Sequence, residues 1–403
     1  MSLIVQKFGG SSVKDAKSIW NVADVIAETY RAGNDVIVVL SAQGDTTDEL
    51  IQKAAEINPR ASQREMDMLL STGEQASVAL CAMALEAMSL PCVSLAAWQV
   101  GIQSTSVHGD ARIRRIDHER IRSELDQHRI VLVTGFQGVG RDGDVTTLGR
   151  GGSDTSAVAL AAAFRADLCQ IYTDVDGVYT TDPRVVSNAR KLNEITYDEM
   201  LELASQGAGV LHNRSVELAK KFRVKMEVLS SFQRKPGTQI KEVTKVEKIN
   251  ITGIAKDASV ARVALVGLQH NPGVAFQVFD LLSKHNINVD LILQSIGRDE
   301  TKDIAFTIHQ KDLEATTTLL NEHKESLKFD HLQMDESIAK VSIVGAGLMS
   351  NSGVAAKMFE ALYDAGVNIQ MINTSEIRVS VLLDEKEVDR AVKAIHAKFF
   401  DEV

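Results

Sequence analysis

Short apolar runs alternate with amphipathic stretches from the start of the chain to about Ser231. The runs cover residues 3–8, 35–41, 93–95, 130–136 and 168–172. The second run, DVIVVLS, is nearly continuous in apolar residues, which is typical of a strand covered on both faces in a parallel sheet. Between the runs, apolar residues recur at helical spacing, as at Ile19, Val22, Ile26 and Tyr30. This alternation predicts one doubly covered, mostly parallel sheet.

Two glycine-rich turns connect predicted strands to predicted helices. GGSS follows the first strand at residues 9–12, with Lys7 near the end of that strand. GRGGSDTS occupies residues 149–156 and leads into an alanine-rich helix that begins near Thr155. Glycines let backbone N–H groups approach an anion, and the start of a helix adds partial positive charge. The first turn fits neither the Walker A nor the GxGxxG spacing, and each turn alone is also typical of an ordinary connection. Together they favour a site for phosphate or carboxylate groups.

Polar residues also follow other predicted strands, where open α/β sheets bind their ligands. AQGDTTD follows the second strand at residues 42–48, and TDVDGVYTTDPR occupies residues 173–184 after the fifth. Glu74 lies within STGEQ at the start of another predicted helix. From the residues alone, Glu74 could equally complement the helix dipole. The 173–184 loop could equally be a well-formed turn.

An internal repeat fills the last third of the chain. The segment that begins GVA at residue 273 recurs at residue 353, and later positions recur with the same 80-residue spacing. Each copy has an apolar strand before it, an amphipathic helix and two later strands, which is the βαββαβ plan of ferredoxin-like modules. A charged break in composition at residues 233–248 precedes the repeat. The residues alone leave open whether the copies are duplicated scaffold or small-ligand sensors.

Composition excludes several classes of protein. The chain has 403 residues, 44% of them apolar, which is enough for two or three domains with buried cores. The net charge of -10 argues against non-specific binding to nucleic acid. The three cysteines are far apart and show no zinc-site spacing, which indicates reduced thiols. The first residues lack the features of a signal peptide, and no run approaches the roughly 20 apolar residues of a membrane span. We therefore expect a cytoplasmic protein without nucleic-acid or membrane partners.

Five motifs in this order carry a family resemblance. The segments VQKFGGSSV, SAQGDTTDEL, STGEQ, TLGRGGSDTSA and TDVDGVYTTDPR resemble the amino acid kinase superfamily, and specifically aspartate kinases. The tandem repeat is similar to the two ACT domains of such enzymes. The resemblance implies an α/β amino acid kinase fold, an αβα sandwich with a mostly parallel sheet, over residues 1–243. Two ferredoxin-like βαββαβ ACT domains would follow at residues 244–335 and 336–403, and the first strand of the first could pair with the second.

The resemblance also implies a reaction. Aspartate kinases transfer the γ-phosphoryl group of Mg-ATP to the side-chain carboxylate of L-aspartate, which is the first step towards lysine, threonine and methionine. A carboxylate with an ordinary pKa of about 3.9 is already ionised at neutral pH, so this chemistry requires no general base. It requires positioning and positive charge instead, because one anion must approach another. We expect Mg²⁺ to arrive with ATP, without a metal site made of protein side chains alone.

The roles of site residues are implied in the same way. Lys7 would stabilise the transferring phosphoryl group, and Asp154 would orient Lys7 or the metal shell. The residues implied for ATP binding are Lys7, Phe8, Gly9, Gly10, Ser11, Ser41, Ser153, Thr173, Asp174, Tyr179, Asp182, Pro183 and Arg184. The residues implied for aspartate binding are Ser41, Thr47, Glu74, Arg150, Gly151, Gly152 and Ser153. Among them, Arg150 would bind a carboxylate and Glu74 the amino group of aspartate.

The repeat implies feedback inhibition by lysine or threonine bound between ACT domains, in a homodimer or larger oligomer. The implied effector residues are His270, Gly273, Val274, Ala275, Asn288, Val289, Asp290, Gln294, Val354, Asn368, Ile369, Ser375 and Glu376. The chain departs from the family where His270 stands in place of a frequent acidic residue, and where the second copy lacks a proline. Gln75 and Asn213 also replace a common arginine and a usual proline, and His212 is predicted to be structural.

Two alternatives stay open at this stage. One is a kinase of another carboxylate, such as glutamate or acetylglutamate, against which Glu74 and the ACT pair argue. The other is an amino-acid sensor whose kinase half is inactive, against which the intact motifs argue.

Overall fold

The computed structural model describes residues 1–242, 251–269, 271–295, 301–348, 351 and 353–401. These residues form two compact units. The first contains Met1–Tyr179, Arg190–Ser205 and the chain that begins at Gly209, and the second contains Thr180–Ala189, Gln206–Ala208 and the C-terminal part of the chain. The expected boundary at residues 243 and 244 lies outside the described residues, as does His270.

The first unit holds twelve strands and eight α-helices among its described residues. The strands are β1 (Leu3–Phe8), β2 (Asp35–Leu40), β3 (Cys92–Leu95), β4 (Ile102–Ser104), β5 (Ile113–Ile116), β6 (Ile130–Thr134), β7 (Gln137–Val139), β8 (Val145–Thr147), β9 (Leu168–Thr173), β10 (Glu194–Thr196), β11 (Met226–Ser230) and β12 (Thr238–Lys241). The helices are α1 (Ala16–Arg31), α2 (Thr46–Ile57), α3 (Gln63–Leu70), α4 (Thr72–Ala87), α5 (Glu119–Leu125), α6 (Gly152–Phe164), α7 (Tyr197–Ser205) and α8 (Asn213–Phe222).

The main sheet of the first unit confirms the predicted fold. Its strand order is β10-β12-β11-β9-β1-β2-β6-β3, and all neighbours are parallel except β11 and β12. Residues 36–40 of β2 are completely buried, which explains the continuous apolar run. Helices α1 and α4 share a core with one face of the central strands, and α6 contacts β1, β2 and β9.

Helix α6 begins at Gly152, three residues before the predicted start near Thr155. Eleven of its thirteen residues are buried. Most of these residues are small, so the helix can lie close to the sheet. Because the helix starts earlier, Ser153 and Asp154 belong to its first turn and face the end of the sheet.

Two further features of this unit were not predicted. Strands β5, β4, β7 and β8 form a separate four-stranded sheet beside the main one. The helical stretch Gln63–Ala87 is, among the described residues, long and apolar enough to cross a membrane by length and composition alone. Because 56% of its apolar window is buried inside the protein, it is a core segment here.

The second unit contains two four-stranded antiparallel sheets with helices, which confirms the predicted ACT domains. Its strands are β13 (Gly253–Asp257), β14 (Val260–Gln269), β15 (Val289–Gln294), β16 (Thr301–His309), β17 (His331–Asp335), β18 (Ile338–Val344), β19 (Met371–Thr374) and β20 (Arg378–Asp384). Its α-helices are α9 (Val274–Lys284), α10 (Leu313–Glu322), α11 (Lys324–Leu327), α12 (Gly353–Asp364) and α13 (Val388–His396). The sheet orders are β15-β16-β14-β17 and β13-β18-β20-β19. Strand β13 therefore precedes the first module along the chain but completes the sheet of the second.

Candidate active site

Four adjacent strands of the main sheet end at the same edge. The register pairs Phe8 with Leu40 and with Tyr172, and Leu40 with Thr134. The residues that follow β1, β2, β6 and β9 are therefore brought to neighbouring positions. This is the carboxyl edge, where open α/β sheets bind ligands. It carries both candidate anion-binding turns and the loop that follows β2.

Lys7 and Asp154 form a shielded ion pair at this edge. Successive side chains of a strand point to opposite faces. Accordingly, Phe8 stacks on Tyr172 on the α1 and α4 face, while Lys7 meets Asp154 in the first turn of α6. The Lys7 Nζ and the Asp154 Oδ1 are 2.6 Å apart, and both side chains are 11% exposed. An ammonium has three donors, so this pair leaves others for an anionic ligand.

The turn after β1 packs directly on the loop after β2. The amide of Gly44 donates to the Gly10 carbonyl over 3.0 Å. A Cβ at Gly10 would lie 2.8 Å from the carbonyl oxygen of Ala42, so only glycine fits without displacing backbone. Ser11 is exposed, and Thr47 lies half-buried in the first turn of α2. The two loops thus present backbone groups, a hydroxyl and the start of a helix together.

Glu74 lies buried at the start of α4. One carboxylate oxygen accepts from the Ala42 amide over 3.1 Å, and the other accepts from the Gln137 side-chain amide over 3.3 Å. Burial raises the pKa of Glu74 to about 7. Such a carboxylate is prepared to bind a cation, because an ammonium would supply the charge that the interior lacks. The sequence analysis did not identify Gln137 as a site residue, because a single polar residue in a three-residue strand gives no periodic signal.

The turn that carries Arg150 depends on glycine. Gly149 and Gly151 have φ values of +75° and +66°, a region in which other residues are strained. A Cβ at Gly151 would lie 2.2 Å from the Cβ of His212, so the histidine packs against this turn. Arg150 itself is exposed.

Ser153, Gly152 and Ser41 complete this part of the edge. A Cβ at Gly135 would be 2.6 Å from the Ser153 hydroxyl, which places that hydroxyl over the end of β6. Gly152 leaves space for the ring of Phe136. The Ser41 amide continues the β1 and β2 pairing by donating to the Phe8 carbonyl over 3.2 Å.

The loop after β9 is partly fixed by its own side chains. The Thr173 hydroxyl donates to Asp174 over 3.0 Å, and the Tyr179 hydroxyl donates to Asp176 over 2.8 Å. Asp174 is exposed. The last three candidate nucleotide residues, Asp182, Pro183 and Arg184, belong to the second compact unit. In that unit, the Arg184 guanidinium forms a bidentate salt bridge with the Asp182 carboxylate.

Candidate effector residues of the first ACT module surround a cavity of about 460 Å³. Its lining consists of Leu268, Gln269, Asn271, Pro272, Gly273, Val274, Ala275, Gln294, Lys302 and Ile304. Gly273, with φ +95°, starts α9 at this cavity. The sequence analysis did not identify Lys302 as a candidate effector residue, because it lies outside the repeated motif.

The remaining candidate effector residues are more dispersed. Asn288 and Val289 lie at the start of β15, and Asp290 pairs with the buried Lys340 of β18. Val354 is buried in the core of the second module. Asn368, Ile369, Ser375 and Glu376 lie in the segments that flank β19.

The comparisons with known proteins identify the family. Residues 2–230 match the amino acid kinase family, and residues 263–323 and 341–399 match the ACT domain. The aspartokinase of Geobacillus stearothermophilus is 50% identical over 400 residues, which cover 99% of this chain and 97% of that protein. The chain belongs to the aspartokinase family. It is therefore a kinase that phosphorylates aspartate, as the resemblance implied, and it carries the ACT domains of an allosteric enzyme.

Two solved structures extend the match to three dimensions. Escherichia coli aspartokinase III in complex with aspartate and ADP, in its R-state, is 27% identical with a TM-score of 0.86, and the match covers 99% of this chain and 100% of that one. The same protein in complex with lysine and aspartate, in its T-state, is 27% identical with a TM-score of 0.76, and 99% of each chain is covered. The individual roles given above to site residues stay predictions.

Proposed function

We propose that the carboxyl edge of the main sheet transfers the γ-phosphoryl group of ATP to the side-chain carboxylate of L-aspartate, with Lys7 as the central catalytic residue. The observation that carries this proposal is the shielded pair of Lys7 and Asp154, which lies at an edge that also bears both glycine-rich turns. A cation held in a low-dielectric site stabilises developing negative charge more strongly than one in water. Asp154 holds the ammonium in place before the substrates bind.

ATP binds, in this proposal, through the backbone of residues 9–11 and the loop after β9. ADP is bound in the E. coli relative. The exposed Ser11 and Asp174 and the half-buried Thr173 offer groups that are suited to phosphate, ribose or metal-bound water. Among the described residues, no group of three or more histidine, cysteine, aspartate or glutamate side chains could hold a metal ion. We propose that Mg²⁺ enters this site together with the ATP phosphates and keeps most of its water. It would neutralise phosphate charge during the transfer.

Aspartate binds through charges that complement its own. Glu74 takes the amino group, because burial leaves its carboxylate short of positive charge. Arg150 takes the α-carboxylate, for which a planar guanidinium is well suited. Ser41, Thr47 and Ser153 add hydroxyl groups around the acceptor carboxylate. Since aspartate is already ionised, the remaining task is in-line alignment with the phosphoryl group.

The ACT modules give this kinase feedback regulation, with lysine or threonine as the effector and a homodimer or larger oligomer as the working form. Lysine is bound in the T-state structure of the E. coli relative. The cavity beside Gly273 has room for an amino acid, and Gln294 offers it an amide. The cysteine thiols are free, which supports a reducing, cytoplasmic setting.

Trapping with hydroxylamine tests the reaction directly. An acyl phosphate reacts with hydroxylamine to give a hydroxamate, which is detected as its coloured iron(III) complex. Product should form with Mg-ATP and L-aspartate but not with L-glutamate. Lysine and threonine, added singly and together, should then reveal the effector through loss of product. A folded protein that binds ATP but forms no hydroxamate from aspartate would refute the proposal.

A further inference from the structure

The turn that carries Arg150 is held by the buried side chains of Arg214 and Asp67, which lie outside all five family motifs. We propose that Arg214 is a positioning residue for aspartate binding, because it fixes the backbone from which Arg150 projects. This inference rests on the proposed function, in which Arg150 binds aspartate.

Arg214 joins two separate pieces of backbone. It lies in the first turn of α8 with its side chain only 13% exposed. One terminal nitrogen donates to the Leu148 carbonyl and, over 2.8 Å, to the Asp110 carboxylate. The other donates to the Ala111 carbonyl over 2.9 Å. Leu148 immediately precedes the glycine-rich turn, so this guanidinium holds the turn where it leaves β8.

Asp67 fixes the same region from the opposite side. Its carboxylate is 1% exposed and accepts from the Thr147 hydroxyl over 2.6 Å and from the Gly109 amide over 3.1 Å. His108 Nδ1 lies 2.9 Å from it. The segment at residues 108–111 is thus held by Asp67 at one end and by Arg214 at the other.

The Arg150 turn lies directly against this fixed segment. A Cβ at Gly149 would be 3.1 Å from the Gly109 carbonyl oxygen and 3.3 Å from the Asp110 carboxylate. Since Gly149 is the residue before Arg150, any shift of residues 108–111 moves the base of the arginine. A planar guanidinium can bond to both carbonyls and the carboxylate at once, whereas a lysine ammonium acts as a point charge with less geometric control.

A merely structural arginine and a positioning arginine predict different kinetics. For Arg214→Gln we expect kcat/KM for aspartate to fall about 10- to 100-fold, as for a small misplacement of a binding group, with a raised KM for aspartate and little change in the KM for ATP. Guanidinium ion added in the millimolar range should restore much of the aspartate affinity of Arg214→Ala. Arg214→Lys should also bind aspartate more weakly than the unsubstituted protein does. If Arg214→Gln does not fold, Arg214→Lys provides the same test. Lys221→Gln, an exposed change on the same helix, is the matched control and should leave both KM values unchanged.

Two results would overturn the proposal. One is an unchanged KM for aspartate in Arg214→Gln and in Arg214→Lys. The other is an equal rise in both KM values that guanidinium does not reverse. Arg150→Gln, measured in parallel, separates this proposal from the proposed function. If Arg150→Gln also leaves the KM for aspartate unchanged, the role of Arg150 itself is wrong, whereas a raised KM in Arg150→Gln alone contradicts only the role of Arg214.

Discussion

At the scale of single residues, the site combines two acidic side chains in opposite electrostatic situations. Asp154 lies 2.6 Å from a lysine ammonium, while Glu74 is held by neutral amides and is buried. Burial without a cation raises the pKa of Glu74 to about 7. The two carboxylates therefore suit different tasks, one holding a permanent cation and the other receiving an incoming one.

The raised pKa of Glu74 predicts a pH-dependent affinity for aspartate. Below pH 7 the free enzyme holds Glu74 largely protonated, and a neutral carboxyl binds an ammonium weakly. The carboxylates of aspartate do not titrate in this range, so the KM for aspartate should rise by up to about tenfold per pH unit as the pH falls from 7 to 6 and below. Steady-state kinetics from pH 5.5 to 8.5 would measure this dependence.

Glu74→Gln is the control for that measurement. It keeps the shape of the side chain but removes the titration, so its KM for aspartate should be high at every pH. A KM that stays flat in the unsubstituted enzyme while kcat varies would show that Glu74 does not bind the amino group.

At the scale of elements, the sequence predicted the parts of the site that follow long buried strands. The strands β1, β2, β6 and β9 coincide with predominantly apolar runs, so their ends, and hence Lys7 and the first glycine-rich turn, could be placed in advance. Helix α6 was placed too late, because the glycine-rich sequence at its start resembles a loop, although Gly152 already belongs to the first turn.

Short strands and contacts between residues far apart in the chain could not be predicted from the sequence. Strands β4, β7 and β8 have three residues each, too few for a visible alternation. Gln137, Asp67 and Arg214 act through partners 41 to 104 positions away. No local spacing records such contacts, so polar residues of this kind cannot be distinguished in the sequence from ordinary surface residues.

At the scale of the whole molecule, the chain passes from the first compact unit to the second within residues 173–184, the loop implied for nucleotide binding. It leaves the first unit after Tyr179, and Thr180–Ala189 belongs to the second. The Thr180 hydroxyl lies 3.0 Å from the buried Nε2 of His396 in α13. Val186 is packed in the core of the second ACT module, which also includes Ile254 and Met358. The regulatory unit thus includes Thr180–Ala189 and Gln206–Ala208, which lie within the range expected for the kinase half.

This packing predicts that Val186→Ala destabilises the second unit. Removing two buried methyl groups leaves a cavity, so the free energy of unfolding of this unit should fall by about 2 kcal/mol. Differential scanning calorimetry would detect the shift as a lower midpoint for one transition. Val107→Ala, at a side chain that is 58% exposed in the first unit, should leave the midpoint in place. An unchanged midpoint in Val186→Ala would show that residues 180–189 are not part of that core.

The most direct test of the central claim is the turnover of Lys7→Ala in the hydroxamate assay, with Lys17→Ala as the control on an exposed helix start. If Lys7 stabilises the transferring phosphoryl group, its loss should lower kcat by about 10²-fold or more, with an unfolding midpoint close to that of the unsubstituted enzyme. Lys17→Ala should keep normal turnover. A Lys7→Ala enzyme that is folded and forms hydroxamate at a rate near the normal one would contradict the account.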